Sequence, residues 1–201
     1  MSEGLLPANR ILPQLRAEAL EALLVERGLV APPTLDGFIN RYVNDVGPMN
    51  GARVVARAWV DPEYRRRLLA SGTEAVKELG YGGPQGEHIV VVENTPQVHN
   101  VVVCTLCSCY PWPLLGLPPN WYKDPAYRAR IVREPRTLLA EMGLTLAPDV
   151  EIRVWDSSAE NRYFVLPMRP DGTEGLSEQE LAALVKRDAM VGVAVVSGGN
   201  P

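Results

Sequence analysis

Three cysteines stand within six residues of one another, at the spacing C-x-x-C-x-C, as Cys104, Cys107 and Cys109. They are all the cysteines of the chain, and they directly follow the apolar run Val101–Val103. A disulfide uses two thiols and would leave the third unpaired. Three thiolates so close in sequence are better suited to hold one metal ion, and the spacing predicts such a site.

The covalent chain indicates how the ion would be held. If Cys107 and Cys109 both bind through sulfur, the amide nitrogens of Ser108 and Cys109 lie between them, and every chelate ring has a low-strain size. The tripeptide then supplies four roughly coplanar donors, and Cys104 adds a fifth from below, which leaves one position open. Ionised amides favour a trivalent ion such as cobalt or iron.

The simpler alternatives are a tetrahedral zinc site or buried free thiols. Zinc prefers a closed set of four sulfur or nitrogen ligands. The chain contains only two histidines that could complete such a set, His88 and His99. We expect neither to bind the metal.

The sequence around the cysteines also resembles a known family, the α subunit of nitrile hydratase. The similarity runs from about Arg41 to Val196, and Thr105, between the first two cysteines, resembles the cobalt type. The strings that carry the resemblance most clearly are Cys104–Pro113, Leu115–Lys123 and Tyr127–Arg136. The resemblance implies one Co(III) ion per αβ unit, with Fe(III) as the alternative.

A second family shares the cysteine claw, namely the γ subunit of thiocyanate hydrolase. Trp112 and Leu117 stand in strings that favour the nitrile enzyme. A thiocyanate-hydrolase-like subunit therefore remains the alternative enzyme. A metal-carrying scaffold without turnover is the alternative from another class.

The resemblance implies that two of the metal-binding cysteines are oxidised, Cys107 to a sulfinate and Cys109 to a sulfenate, while Cys104 stays unmodified. Thiolates on a hard ion in an exposed loop are open to such oxidation. A trivalent ion with an open position polarises a nitrile carbon or lowers the pKa of bound water. We expect the Cys109 sulfenate to act as the nucleophile that begins hydration of the nitrile to the amide.

Four further residues are candidates through the same resemblance. Arg162 is expected to stabilise the negative charge on the oxidised sulfurs, and Glu160, from the same matching string, to support the site beside it. Gln85 is expected to hydrogen-bond near the substrate, and Trp112 to form a wall of the substrate pocket. Without the resemblance, each of them reads as an ordinary surface, loop or core residue.

The family also implies partners. The chain is expected to need a β subunit, possibly split into two chains, within an (αβ)2-type oligomer, and a metal-insertion activator protein. The expected substrate is a small nitrile.

Composition excludes several other classes of function. The 201 residues carry a net charge of −4, with a sequence pI of about 5.3, which argues against nucleic acid or an anionic membrane as a partner. No apolar run approaches the roughly 20 residues that span a bilayer. The segment Met1–Pro7 has an acid and no basic stretch, so it does not predict a signal peptide, and the expected location is the cytoplasm.

The elements that must position the cysteines predict an α/β fold, a layered α-β-β-α metal-binding domain with an extended N-terminal helical arm. We assign residues 1–48 to the arm and its helical hairpin, and 49–201 to the metal-binding catalytic domain. The cysteine loop is expected at the C-terminal end of the second strand. The predicted strands are 88–93, 98–103, 151–155, 163–166 and 192–196.

Overall fold

A computed structural model describes residues 11–83 and 86–198 of the chain. The chain divides into two compact units between Arg41 and Tyr42. The first unit contains helix α1, Ile11–Glu26, and helix α2, Pro32–Asn40. Assignment of residues 1–48 as an arm that serves a partner stays a prediction.

The second unit opens with a π-helical segment, Arg41–Val46, of which Tyr42 onwards belongs to this unit. Its α-helices are mostly short, because prolines start many of them and break the chain between them. Pro62, Pro125 and Pro135 each occupy a first helical position. These helices are α3 (Met49–Val60), α4 (Pro62–Ala70), α5 (Gly72–Glu78), α6 (Trp112–Leu115), α7 (Pro125–Arg133), α8 (Pro135–Glu141), α9 (Glu178–Leu184) and α10 (Arg187–Val191). A 3-10 turn, Asn120–Lys123, precedes α7.

Four strands form two parallel pairs. Strand β1, Ile89–Glu93, pairs with β4, Arg162–Leu166. Strand β2, Val98–Val103, pairs with β3, Glu151–Asp156. The first four predicted strands are therefore confirmed within one residue at each end.

Burial explains why β2 is so apolar. Its last five residues are all buried, and Val101 and Val103 are fully excluded from solvent. Strands that are covered on both faces read as continuous apolar runs, and the valines before the cysteines follow this rule. The cysteine loop therefore starts from a rigid, well-packed element.

The fifth predicted strand, 192–196, is wrong. Helix α10 ends at Val191, and the chain continues through Gly192, whose φ is +88°, into a segment with no strand structure. The Gly192 carbonyl accepts a hydrogen bond from the His99 side chain at 2.8 Å, and the amide of Val193 donates back to Asp188. Because these groups are engaged in a helix cap and a side-chain contact, they do not build a strand ladder.

Helices and strands together confirm the α/β class. Helices α4 and α5 contact β1, whereas α8 contacts β3 and α10 contacts β2 and β4. The order of layers, α-β-β-α, stays a prediction. Among the described residues, no helix has both the length and the apolar character needed to cross a membrane.

Candidate metal centre

The cysteine loop leaves β2 where the strand ends. Val103 is the last residue of β2, and Cys104 is the first residue beyond it. Val103 stands opposite Asp156, the last residue of β3, in the parallel register. The loop therefore begins at the carboxyl edge of this strand pair, as predicted.

The structure brings the three sulfur atoms together. The Sγ atoms of Cys104 and Cys107 are 3.4 Å apart, and those of Cys107 and Cys109 are 3.2 Å apart. All three atoms lie within 4.8 Å of one another, and no disulfide joins them. Cys104 and Cys109 are buried, whereas Cys107 is exposed. One ion could contact all three sulfurs and still be reached from the surface.

Main-chain nitrogen also faces this cluster. The Cys107 amide donates to the Cys104 sulfur at 3.3 Å, and the amides of Ser108 and Cys109 lie near enough to the Cys107 sulfur to lower its pKa. The two amides predicted to bind the ion thus lie beside the thiols. The donor set of three sulfurs and two amides fits a trivalent ion with soft and strong-field ligands.

Hydrogen bonds among the thiols separate their pKa values. The Cys109 and Cys104 sulfhydryls hydrogen-bond to Cys107 and, with neighbouring amides, lower its pKa to about 7. Burial raises the pKa of Cys109 to about 12, and its bond to Cys107 acts in the same direction. Of Cys107 and Cys109, the exposed Cys107 is therefore the first to become a thiolate, which is the form that binds metal.

Neither histidine joins the cluster among the described residues. His99 is buried, with its ring nitrogens engaged by the Gly192 carbonyl and the Asn94 side chain. His88 is exposed and precedes β1. Within the described residues, therefore, no histidine is in position to serve as the fourth ligand of a tetrahedral zinc site at the three cysteines.

A carboxylate that the sequence analysis missed holds the start of the loop. Asp156 accepts a hydrogen bond from the Thr105 amide at 2.9 Å and another from the Thr105 hydroxyl at 2.5 Å. The next residue, Ser157, donates its amide to the Val103 carbonyl at 2.7 Å. The residues lie about fifty positions apart, so only the β2–β3 register, once known, could have predicted this contact.

Two buried tyrosines hold the loop from its other side. The Tyr122 hydroxyl donates to the Cys109 carbonyl at 3.0 Å, and the Tyr127 hydroxyl donates to the Val102 carbonyl at 2.8 Å. Burial raises the pKa of both phenols, so both remain neutral donors. The ring of Tyr110 packs edge-on against Tyr122, with 5.0 Å between ring centroids.

The remaining predicted site residues have different surroundings. Arg162 is buried at the start of β4, and its guanidinium donates to the Ala159 carbonyl. Glu160 is exposed and accepts from the Ser158 hydroxyl at 2.8 Å, which is the main reason that its pKa is lowered. Both residues lie in the segment from Asp156 to the start of β4. Asp156 stands opposite Val103, so this segment begins beside the cysteine loop, residues 104–109, which is also called the metal loop.

Trp112 begins α6 three residues after the last cysteine. It is half-buried, and its ring meets Tyr42 edge-on at a centroid distance of 5.5 Å. Gln85 lies outside the described residues. The roles predicted for Gln85, Trp112, Arg162 and Glu160 therefore stay predictions.

Comparison with known proteins gives a consistent family. Residues 12–194 match the family model described as nitrile hydratase, alpha chain. The low-molecular weight cobalt-containing nitrile hydratase subunit alpha of Rhodococcus rhodochrous is 60% identical over 193 residues, which cover 96% of this chain and 93% of that subunit.

Two further relatives are less similar in sequence. A solved double mutant of the Fe-type nitrile hydratase from Comamonas testosteroni Ni1 is 44% identical, with a TM-score of 0.85 and coverage of 94% of this chain and 92% of its own. The thiocyanate hydrolase subunit gamma of Thiobacillus thioparus is 44% identical over 192 residues, which cover 90% of this chain and 79% of that subunit.

Proposed function

The chain belongs to the nitrile hydratase alpha-chain family, and from this premise we propose that it adds water to a small nitrile to give the corresponding amide. The reaction joins one water molecule to the carbon–nitrogen triple bond, and no other product forms. The observation that carries this proposal is the convergence of three thiols and two main-chain amides in a single loop.

We propose Co(III) as the resident ion, one per αβ unit, held by the sulfurs of Cys104, Cys107 and Cys109 and the amide nitrogens of Ser108 and Cys109. The relative from Rhodococcus rhodochrous, named as cobalt-containing, is 60% identical, whereas the Fe-type neighbour is 44% identical. Thr105 agrees with the cobalt type. When bound, the ion supplies Lewis acidity that makes the nitrile carbon more electrophilic.

Two oxidised cysteines complete the proposal, a sulfinate at Cys107 and a sulfenate at Cys109, with dioxygen as the oxidant. The sulfenate oxygen attacks the nitrile carbon while the nitrogen takes a proton. Water then adds its oxygen to that carbon and gives one proton to the nitrogen. The carbon–oxygen bond to Cys109 breaks with its electron pair on the sulfenate oxygen, the new hydroxyl releases a proton that replaces the one first taken, and the amide leaves. In this proposal the Arg162 guanidinium stabilises the charge on these oxygens, Glu160 supports the segment that carries Arg162, and Gln85 and Trp112 orient the nitrile.

A partner subunit is part of this proposal, because the chain alone leaves its site open. Cys107 is exposed, and Leu106 between the cysteines is 89% exposed. The family model that matches the chain describes an alpha chain, which implies a second kind of subunit that could cover this exposed loop. We infer that a β subunit, in one chain or two, closes the pocket within an (αβ)2-type oligomer after an activator has delivered the metal.

The location follows from the same thiols. They must stay reduced until the metal reaches them, and a reducing cytoplasm provides this condition. We therefore place the protein in the cytoplasm.

The test is co-expression with the β subunit in medium that contains cobalt, followed by a quantitative assay of amide from a small nitrile. The proposal expects turnover that depends on both cobalt and the β subunit. A metal-carrying scaffold would bind cobalt and release no amide, and this result would contradict the proposal.

Thiocyanate hydrolysis is the second candidate, because the Thiobacillus thioparus γ subunit is 44% identical over 90% of this chain. The same preparation is therefore given thiocyanate, and carbonyl sulfide is measured in the gas above it. Nitrile turnover without carbonyl sulfide would support the first proposal. The reverse result would replace it.

A further inference from the structure

A groove on the surface of the second unit runs beside the metal loop and encloses about 510 Å³. Thr105 of the metal loop forms one wall, and helix α7 forms the other. The lining residues, which together we call the Thr105 groove, are Thr105, Pro125, Arg128, Ala129, Val132 and Arg133. The groove thus adjoins the loop that the proposed β subunit covers.

The groove carries positive charge that the described part of the chain does not neutralise. Neither Arg128 nor Arg133 forms an ion pair within residues 11–83 and 86–198. Arg133 donates to the Ala129 carbonyl at 3.2 Å. The Nε atom of Arg128 is buried and, among those residues, has no hydrogen-bond partner. A buried donor of this kind is costly unless a partner satisfies it.

Another arginine on the same helix shows the contrast. Arg130 bonds to Glu134 at 2.6 Å and to both carboxylate oxygens of Glu141, at 2.6 and 2.8 Å. Helix α7 therefore pairs one arginine internally and presents two toward the groove. On a chain with a net charge of −4, these two make a local basic site.

The rest of the groove is apolar. Val132 is 52% exposed, and Pro125 and Ala129 are also exposed. An apolar floor with arginines at its edge is typical of protein interfaces, in which aromatic or aliphatic contacts exclude water and arginines bind carboxylates. The adjacent Leu106, 89% exposed, extends this surface into the metal loop.

We propose that the Thr105 groove receives a segment of the β subunit that bears at least one Asp or Glu side chain. This inference rests on the proposed function, since it names what part of the partner meets this chain. Continuity with the metal loop and the two unpaired arginines favour an acidic polypeptide segment as the occupant. Carboxylates satisfy arginine in bidentate geometry and with high specificity.

The first test reverses the charge of the groove. The double variant Arg128→Glu/Arg133→Glu is co-expressed with the β subunit, and the affinity between subunits is measured over a range of salt concentrations. We expect the affinity to fall by about tenfold or more and its salt dependence to flatten, since like charges would then meet.

The matched control is Arg66→Glu/Arg153→Glu, which makes the same change of charge at exposed positions on α4 and β3. We expect this control to bind the β subunit with wild-type affinity. Circular dichroism checks that all variants keep the fold. Equal loss of affinity in both double variants would show a general charge effect and overturn the proposal.

The second test identifies the partner group. In the Arg133→Lys variant, a carbodiimide joins the new amine to any carboxylate in direct contact with it, and mass spectrometry locates the joined peptides in the αβ complex. We expect Lys at this position to be joined to an acidic residue of the β subunit. The native pair Lys77–Glu74, 2.9 Å apart, reports that the reaction worked.

Failure of this inference is distinct from failure of the proposed function. If the wild-type complex hydrates nitriles but the reversed variant binds β normally, the function stands and the acidic-segment proposal falls. A cross-link to the activator protein alone, or to this chain alone, would overturn it as well. If no αβ complex forms in the wild type, the proposed function falls first.

Discussion

Strand β2 has a cluster of polar side chains at each end, and the two clusters differ in burial and in the hydrogen-bond partners of their side chains. At its beginning, the side chains of Asn94, His99 and Asn100 are buried and bond to one another and to the main chain. Beyond its end, Cys104 and Cys107 lie in a cluster of thiols, one of them exposed, that mainly bond to each other.

The buried cluster is complete in itself. Asn100 donates to the Glu93 carbonyl at 2.7 Å and accepts from the Trp155 indole at 2.8 Å. His99 donates from Nε2 to the Gly192 carbonyl and accepts at Nδ1 from the Asn94 amide. Every group has a complementary partner, so this cluster needs no ligand.

The thiol cluster lacks such complementarity. Three similar sulfur atoms converge within 4.8 Å and hydrogen-bond to one another. Deprotonation of all three would place three negative charges together, which only a cation at their centre can stabilise. The comparison shows how the two kinds of cluster differ. A cluster whose hydrogen-bond donors and acceptors pair with one another is structural, whereas a cluster of identical metal-binding atoms is suited to hold an ion.

The most severe way to break this contrast is to remove an exposed ligand. In Cys107→Ser, we expect cobalt per αβ unit to fall toward zero and amide formation to fall by more than about a hundredfold, because loss of a ligand should exceed loss of a supporting residue. Elemental analysis and the amide assay measure the two effects. The free energy of unfolding of the metal-free chain should not change, and a variant with normal cobalt content would contradict the assignment.

At the other end of β2, Asn100→Ala should reduce the free energy of unfolding by about 2–3 kcal/mol, since it leaves buried partners such as the Trp155 indole unsatisfied. Denaturant titration of the metal-free chain measures this. The control is Gln97→Ala, at an exposed position in the turn before β2. We expect cobalt content to stay normal in both, and loss of cobalt with unchanged stability in Asn100→Ala would reverse the comparison.

The contact between Asp156 and Thr105 links the metal loop to β3. The substitution Asp156→Asn weakens this contact while it keeps the size of the side chain. The neutral amide loses the charge that accepts the Thr105 hydroxyl, so we expect turnover to fall by roughly tenfold through poorer positioning of the loop. Steady-state kinetics and cobalt content are measured together. Asp149→Asn, an equal change at an exposed position, should leave both unchanged.

The smallest expected effect concerns pH. Burial lowers the pKa of His99, so the folded chain keeps the ring neutral while the unfolded chain protonates it near pH 6.5. Stability from this group is thus present above about pH 6.5 and is lost as pH falls below it, by at most about 1.4 kcal/mol per pH unit. Arg169 and Asp171 are the charged side chains that line the same cavity as His99, so they are the charged groups that face the ring there.

Denaturant titrations at pH 7.0 and 5.5, on the wild type and on His99→Gln, measure this effect. The variant should lose less stability over the interval than the wild type does. Equal losses would show that the ring is not protected from protonation in the fold.

Local patterns in the sequence were enough to predict several features. The C-x-x-C-x-C spacing confines three thiols to one loop, and the structure brings the sulfurs together. The valine run before Cys104 predicted a strand, and the structure explains the run by burial of the last five residues of β2.

Features that depend on pairing distant segments could not be predicted in this way. Asp156 supports the metal loop only because β3 lies parallel to β2 in the register that opposes it to Val103. The apolar stretch after Gly192 resembles a strand in composition. It fails to form one because its first carbonyl is bound by His99, a contact that no local pattern encodes.

The most direct test of the account is a cobalt K-edge X-ray absorption spectrum of the purified αβ complex. The account predicts trivalent cobalt with both sulfur and nitrogen neighbours, as supplied by the three cysteines and the amides of Ser108 and Cys109. An absent cobalt edge, or zinc surrounded by sulfur alone, would contradict the central claim that this loop holds a trivalent ion through its thiols and its main chain.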